Sequence, residues 1–506
     1  MWHRHAAVFW HQHNPLFDNH WGFQLHCWWL QTAEHQAPLQ YPWKRAKPAL
    51  QQACYYGNGG RSEHHQQRCH LHVDSTNSSS AIVVLLQRLV LANHSTTSEF
   101  LRLPALLTNE FHLAAGINVL SLAAGPLGFS AGWFKLTLQD MEFKSLTGGG
   151  GAMAVKAEAS SFNSTTPSEL VIRGCTFSSC KASGWAGAGA LFAHQVAGPV
   201  HITSSSFHHN SGMLFGAVSI DTVGIQQGGA TSVRIEGSSF LENTSAFVGG
   251  VFMESIYARE AVVSNCRFVS NIGTGMCFKN KLQLVSGDIT SKLTANKLVF
   301  QGNNNPYLSF EDRYAEGMFF WGPQLCLTDS LFAGNSGRAA GALEVGAAKF
   351  TGSALTFTGN AALTSTGPEV PPRQARGMAN TLKLFSIGYN SALFFGINST
   401  TAQSDGSFQR STSTQKDVPN IHVLEEVYGG NTRLFICQSN FGAGGMLLAT
   451  TAADNAGSIA GVGQPSIQLC GARQPGKDFT VKPGSSVFAF NATACVGQCS
   501  YTATTC

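Results

Sequence analysis

Charge is scarce in this chain. Asp, Glu, Lys and Arg make up 12% of its 506 residues, against roughly 25% in an ordinary soluble domain. The net charge is only +4, so no sequence-wide field draws the chain to nucleic acid. Long apolar runs are missing too. The best candidate, 81–91, is interrupted by Gln87 and Arg88 and falls far short of the ~18 residues that a transmembrane helix needs. Gly and Pro number 54 and 17, about 14% together and well below the ~25–30% that signals disorder. With 43% hydrophobic residues the chain can bury a large core. Length alone suggests about three domains, although large β architectures escape that prior.

The start carries no ordinary secretory signal. Trp2, His3, Arg4 and His5 lead into no clean apolar stretch. Of the 18 His, eleven fall in the first 72 residues, among Trp and Gln. No period of 2 or 3.6 is sustained there. Segment 1–80 is therefore read as poorly ordered, or as a wrongly assigned start of the chain. The cysteine count, 13, is odd. Cys495, Cys499 and Cys506 read as a small disulfide cap with Cys470; with no His nearby, a zinc site is disfavoured. Six Asn-x-Ser/Thr sequons, at Asn77, Asn93, Asn163, Asn243, Asn398 and Asn491, point with these cysteines to an exported protein.

What the chain has in plenty is a repeat. Eight segments share the form apolar-x-apolar-x-bend-small-x-Phe, and they end at Phe143, Phe177, Phe207, Phe240, Phe268, Phe300, Phe332 and Phe357. The two apolar positions (Leu170 and Ile172, Val233 and Ile235, Leu325 and Leu327) alternate with polar residues, which is the period of a strand with one buried face. Three residues before each Phe stands mostly a bend former, such as Asp140, Gly174, Ser204, Gly237, Asn265 or Asp329. Three residues after it stands an Asn in six of the eight copies: Asn210, Asn243, Asn271, Asn303, Asn335 and Asn360. Stacked amides can bond one another and the backbone at a corner. Further on comes a Gly-small-apolar element, as in Gly189-Ala190-Leu191, Gly216-Ala217-Val218 and Gly250-Val251-Phe252. Small residues there let backbones approach.

A repeat of about 30 residues with short strands and an Asn corner predicts a parallel β-solenoid of about nine or ten coils, stacked ~4.8 Å apart. Propeller blades need about 40–45 residues, and leucine-rich repeats need a frame absent here. The predicted organisation is a solenoid over 81–365, a Ser/Thr/Pro-rich loop or linker over 366–430, and terminal coils with a Cys-rich cap over 431–506. An open end would expose unpaired strand edges.

The pairing of Gly-Gly-Ala-aliphatic with Phe-x-x-Asn resembles the repeat of the chlamydial polymorphic membrane proteins. More broadly it is similar to right-handed parallel β-helix (pectin-lyase-like) proteins. The resemblance covers about residues 134–365, with a weaker copy at 434–441 followed by Gly444-Gly445-Met446-Leu447. Phe177 is followed by Cys180 and Phe143 by Leu146 where Asn is expected, and no run of alternating membrane strands follows. The resemblance implies an extracellular or cell-surface solenoid without the bacterial autotransporter barrel.

Relatives of that fold include polysaccharide lyases and hydrolases, which need clustered carboxylates, often with a basic residue or Ca²⁺. No Asp-Asp pair and no Gly-His-Gly is present. Asp140 and Asp329 fall six coils apart, about 29 Å at ~4.8 Å per coil, too far for a catalytic dyad. Glu425 and Glu426 would point oppositely on a strand. Glu236, Glu242 and Glu254 read as scattered surface acids. The His64, His65, Cys69, His70 and His72 cluster matches no structural zinc spacing. His208 and His209 fall at a coil corner, where solvation is the plain reading and a glycan or metal contact the sharp one. Ser204, Ser205 and Ser206 have no base beside them. Cys175 and Cys266 share a column three coils apart, about 14 Å, too far to bridge, and read as buried small hydrophobes. Asn243 is both a sequon and a corner Asn; a buried corner would exclude its glycosylation.

The sequence thus predicts a non-catalytic extracellular or surface solenoid with a structural, adhesive or glycan-binding role. It names no catalytic residue, no metal ligand and no cofactor. The expected partner is a polysaccharide or a cell-surface protein, with no nucleic acid. The alternative is a carbohydrate-active enzyme of the pectin-lyase-like class.

Overall fold

The computed structural model describes residues 82–93, 95, 114–121, 134–157, 169–185, 187–194, 196, 198–222, 232–255, 260–280, 292–305, 315–337 and 340–362. It adds the backbone of further strands between 22 and 112 and between 382 and 481. Among these residues there is no helix. All strand pairings are parallel except Gly22–Leu25 with Leu71–Asp74 and Phe100–Leu101 with Phe111–His112. The chain is a right-handed parallel β-helix, the hand expected of parallel crossovers.

One coil shows the plan of all. Val200–Thr203 lies in the first sheet. Ser204 then turns the chain with φ 48°. Ser206–His208 carries Phe207 in the second sheet, and His209 turns it again with φ 56°. Asn210 sits at the corner, and Val218–Thr222 enters the third sheet. The next coil begins at Ser232–Glu236, whose Val233 and Ile235 lie beside Val200 and Ile202.

The bends follow from the alternation. The strand must reverse its facing to bury both Ile202 and Phe207, and a left-handed residue does so in one step. The bend column predicted three residues before Phe is left-handed in every repeat, from Asp140 (φ 51°) to Ala354 (φ 50°). A second left-handed column, two residues after Phe, was not visible in the sequence. It runs through Ser145, Ser179, His209, Glu242, Ser270, Gly302, Gly334 and Gly359.

The second sheet has ten strands. Its eight Phe rings stand in one file, from Phe143 to Phe357, with neighbouring centroids 4.3–5.0 Å apart and planes within 13°. All are essentially inaccessible to solvent. Each buried ring contributes about 1.5–3 kcal/mol through burial, and the offset stack adds ~0.5–1.5 kcal/mol per pair. Ile202, Ile235, Leu327, Val218 and Val251 complete the same core from the other two sheets.

The Asn column forms a continuous buried ladder. Asn210 Nδ2 donates to Phe177 O of the coil before and to Asn243 Oδ1 of the coil after, both at 3.0 Å. The pattern repeats through Asn243, Asn271, Asn303 and Asn335 to Asn360. At Cys180, where Asn is missing, the thiol reaches Phe143 O at 3.6 Å. Gly250 shows why glycine recurs beyond this corner. A Cβ there would lie 2.1 Å from Gly275 O.

The solenoid also extends beyond the recognised repeats. Ile82–Gln87 pairs with Phe134–Gln139, and Leu91 stands beside Phe143. Within 366–430, read from sequence as a loop or linker, Leu382–Ser386, Ala392–Ile397, Ser407–Phe408 and Ile421–Leu424 continue the sheets. Phe408 lies beside Phe357. Arg433–Cys437 and Ser466–Cys470 follow in register, with Cys437 beside Cys470. The other cysteines of the expected cap lie outside the described residues, as does segment 1–80 apart from three strands.

Repeat length varies mainly between the third sheet and the first. That connection spans 223–231 in one coil and 256–259 in the next. It disappears altogether where Met318–Thr328 runs from one sheet into the other as a single strand.

Candidate functional site

The outer side of the third sheet gathers side chains that the sequence scatters. Inward positions there are Leu191, Val218, Val251, Met276 and Met318. The register corrects one repeat: Val251 lies beside Val218, so Phe252 faces outward. The first outward row is Phe192, Ser219, Phe252, Cys277 and Phe319. Phe192, Phe252 and Phe319 form a second apolar cluster outside the main core, joined by Phe215 and Val248 from the preceding corner. Phe215 stacks on Phe252 at 4.6 Å, and half-buried Phe247 and Trp321 border the group.

The second outward row is polar. Asp221 lies beside Glu254, Glu254 beside Lys279, and Lys279 beside Trp321. His194 Nδ1 approaches Asp221 Oδ2 at 3.3 Å, and its ring stacks on Phe192 at 5.5 Å. Lys279 Nζ stands 5.4 Å from the centre of the Phe247 ring, within reach of a cation–π attraction. The row offers a base, two carboxylates and an ammonium beside aromatic faces. Neighbouring rungs set Asp221 and Glu254 about 4.8 Å apart at the backbone. Side chains from such positions can span the ~5–9.5 Å that glycoside chemistry uses.

Counting from Phe hides this row, because its members are 27, 33 and 25 residues apart. Counting from the Gly-small-apolar element reaches only His194 and Asp221; counting from the inward residue that the register fixes reaches all four. Each member stands three residues after the inward aliphatic: Leu191 and His194, Val218 and Asp221, Val251 and Glu254, Met276 and Lys279.

The other candidates disperse. Glu236 lies on the first sheet near Arg234, Glu242 at the second bend against His209, and Glu254 on the third sheet. Asp140 and Asp329 occupy the same bend column six coils apart along the Phe file. Ser205 is buried, accepts from Cys175 N and donates to Thr203 O, which is a structural role. Cys175 and Cys266 are buried free thiols. Burial pushes their pKa values up to about 11 and about 12. Buried Cys326 is disulfide-bonded. Asn243 itself is fully buried in the ladder, whereas Asn93 is exposed. The His64–His72 cluster and the Glu425, Glu426 pair lie outside the described residues, apart from the strand backbone at His72.

Two buried acids were not anticipated. Glu316 and Glu344 are 4% and 3% exposed. Glu344 stands beside Phe319, and Glu316 Oε2 accepts no hydrogen bond. Burial, reinforced by the charge of Glu344, holds the Glu316 carboxyl well above the usual carboxylate range.

Compared with known proteins, the chain matches no family, no curated protein and no solved structure.

Proposed function

We propose that the chain is a non-catalytic extracellular or surface-displayed solenoid that holds a polysaccharide along its third sheet. One observation carries the reading: the row His194, Asp221, Glu254 and Lys279 runs through consecutive coils beside Phe247 and Trp321. Sugar rings present an apolar face and a rim of hydroxyls. Aromatic rings cover the face, while carboxylates and imidazole bond the rim. A straight row repeating every coil suits a chain-like ligand. The resemblance of the repeats to those of polymorphic membrane proteins and of pectin-lyase-like proteins agrees with an extracellular polysaccharide partner. The test is a glycan array followed by titration of the best polysaccharide into the wild type and Trp321→Ala. A tenfold or greater loss in the variant is expected. Silence on every polysaccharide overturns the reading.

A carbohydrate-active enzyme is the second reading, favoured by the placement of Asp221 and Glu254 on adjoining rungs. Polygalacturonate and alginate, each with and without Ca²⁺, test it. Unsaturated ends or reducing sugar that vanish in Asp221→Asn would replace the binding reading.

A further inference from the structure

His208 closes the second-sheet strand beside inward-facing Phe207, and His209 forms the bend that follows. The left-handed backbone at His209, φ 56°, follows His208 directly, and the two imidazoles converge. His208 Nδ1 lies 3.3 Å from His209 Nδ1. On its far side, His209 Nε2 lies 2.8 Å from Glu242 Oε2 of the next coil. An ionised carboxylate only accepts, so Nε2 of neutral His209 carries the hydrogen and donates it. Nδ1 of His209 then keeps its lone pair and accepts the Nδ1–H of His208. One proton bridges two nitrogens.

That spacing is also the spacing of two ligands on one ion. Two nitrogens bound to a tetrahedral divalent metal at about 2.0–2.1 Å stand about 3.3–3.4 Å apart. A carboxylate on the distal nitrogen of a ligating His fixes its tautomer and raises its basicity. We propose that His208 and His209 chelate an imidazole-preferring divalent transition ion, Zn²⁺ or Cu²⁺, through their Nδ1 atoms, with Glu242 as the positioning residue. The metal replaces the bridging hydrogen. His208 shifts its proton from Nδ1 to Nε2, and both Nδ1 lone pairs bond the ion. No net proton is released when both rings start neutral. Side chains of His209 and Glu242 are 57% and 58% exposed. Among the described residues no group of three or more His, Cys, Asp or Glu converges, so the two imidazoles are the ligands that the described residues offer. The site is therefore open and labile.

Calorimetric titration of ZnCl₂ or CuCl₂ into the full chain at pH 7.5 tests this. The His208→Ala/His209→Ala double variant keeps every other His, so the difference isolates this pair. Loss of one binding event per chain is expected. In Glu242→Gln the same event should weaken by about 10–100-fold. Equal stoichiometry and heat in the wild type and the double variant overturn the proposal. Diethylpyrocarbonate labelling of the wild type, read by peptide mass spectrometry, needs no variant to fold. Zn²⁺ should protect the His208–His209 peptide, and unchanged labelling counts against the site.

Discussion

Asn243 donates twice to one atom: its backbone N–H and its Nδ2 both reach Asn271 Oδ1, at 3.0 and 3.1 Å. Asn271 in turn donates to Phe240 O at 3.0 Å and to Asn303 Oδ1 at 2.9 Å. One side chain thus serves groups on both flanking coils and ties three coils together. Asn271→Ala would strand several of them in a water-free corner, at ~1–3 kcal/mol each. A total loss of about 3 kcal/mol or more is expected in urea unfolding. A loss under about 1 kcal/mol would mean that the ladder follows the stack rather than holding it.

Phe240 is fully buried between Phe207 and Phe268. Phe240→Ala should cost about 3–5 kcal/mol. Phe240→Leu should cost clearly less, since Leu91 already fills the equivalent place beside Phe143. Equal midpoints for the two variants would argue against ring packing as the source of stability.

The bends give a test of backbone strain alone. Gly334 has φ 63°, and a Cβ there would meet nothing within 4 Å. Gly334→Ala should therefore cost about 1–2 kcal/mol from left-handed strain without any clash. Ala354, at φ 50° in the other bend column, offers the reverse. Ala354→Gly should stabilise, by less than about 1 kcal/mol because glycine loses more chain entropy. Opposite shifts in thermal midpoint are the expected pair of results.

Glu316 predicts a pH dependence. Its folded-state pKa is raised well above 4.5 by burial and then by Glu344. Between those two values the folded chain holds a proton that the unfolded chain has lost. Stability is therefore fully present below pH ~4.5 and falls as pH rises through the folded pKa. Glu316→Gln should flatten this decline in a series of melts from pH 4 to 8. A wild-type curve that rises over that range from this residue would contradict the assignment.

Sheet register was legible because one aromatic per coil marks it. Phe and Asn recur at fixed offsets from each other, and the structure stacks both columns as the spacing implies. The coil at 82–93 falls within the predicted solenoid span but carries no copy of the Phe and Asn repeat, because Leu91 replaces Phe and His94 stands where Asn is expected. The strands within 366–430 escaped because Ser, Thr and Pro around them mask short pairings such as Phe357 with Phe408. The polar row on the third sheet was illegible for a different reason. Its members lie beyond connections of unequal length, so proximity in space leaves no constant interval in the chain. The αL conformation at Lys297 and Ala354 could not be read from residue type. There the sheets on either side impose a backbone that local preference opposes.

The single strand Met318–Thr328 turns the same edge that other coils cross by way of longer connections. Rung alignment is thus insulated from how much chain is spliced in there. Evolution, or an engineer, can lengthen, shorten or exchange those segments without shifting the aromatic file. They border the polar row, so its surroundings can vary while the frame stays constant.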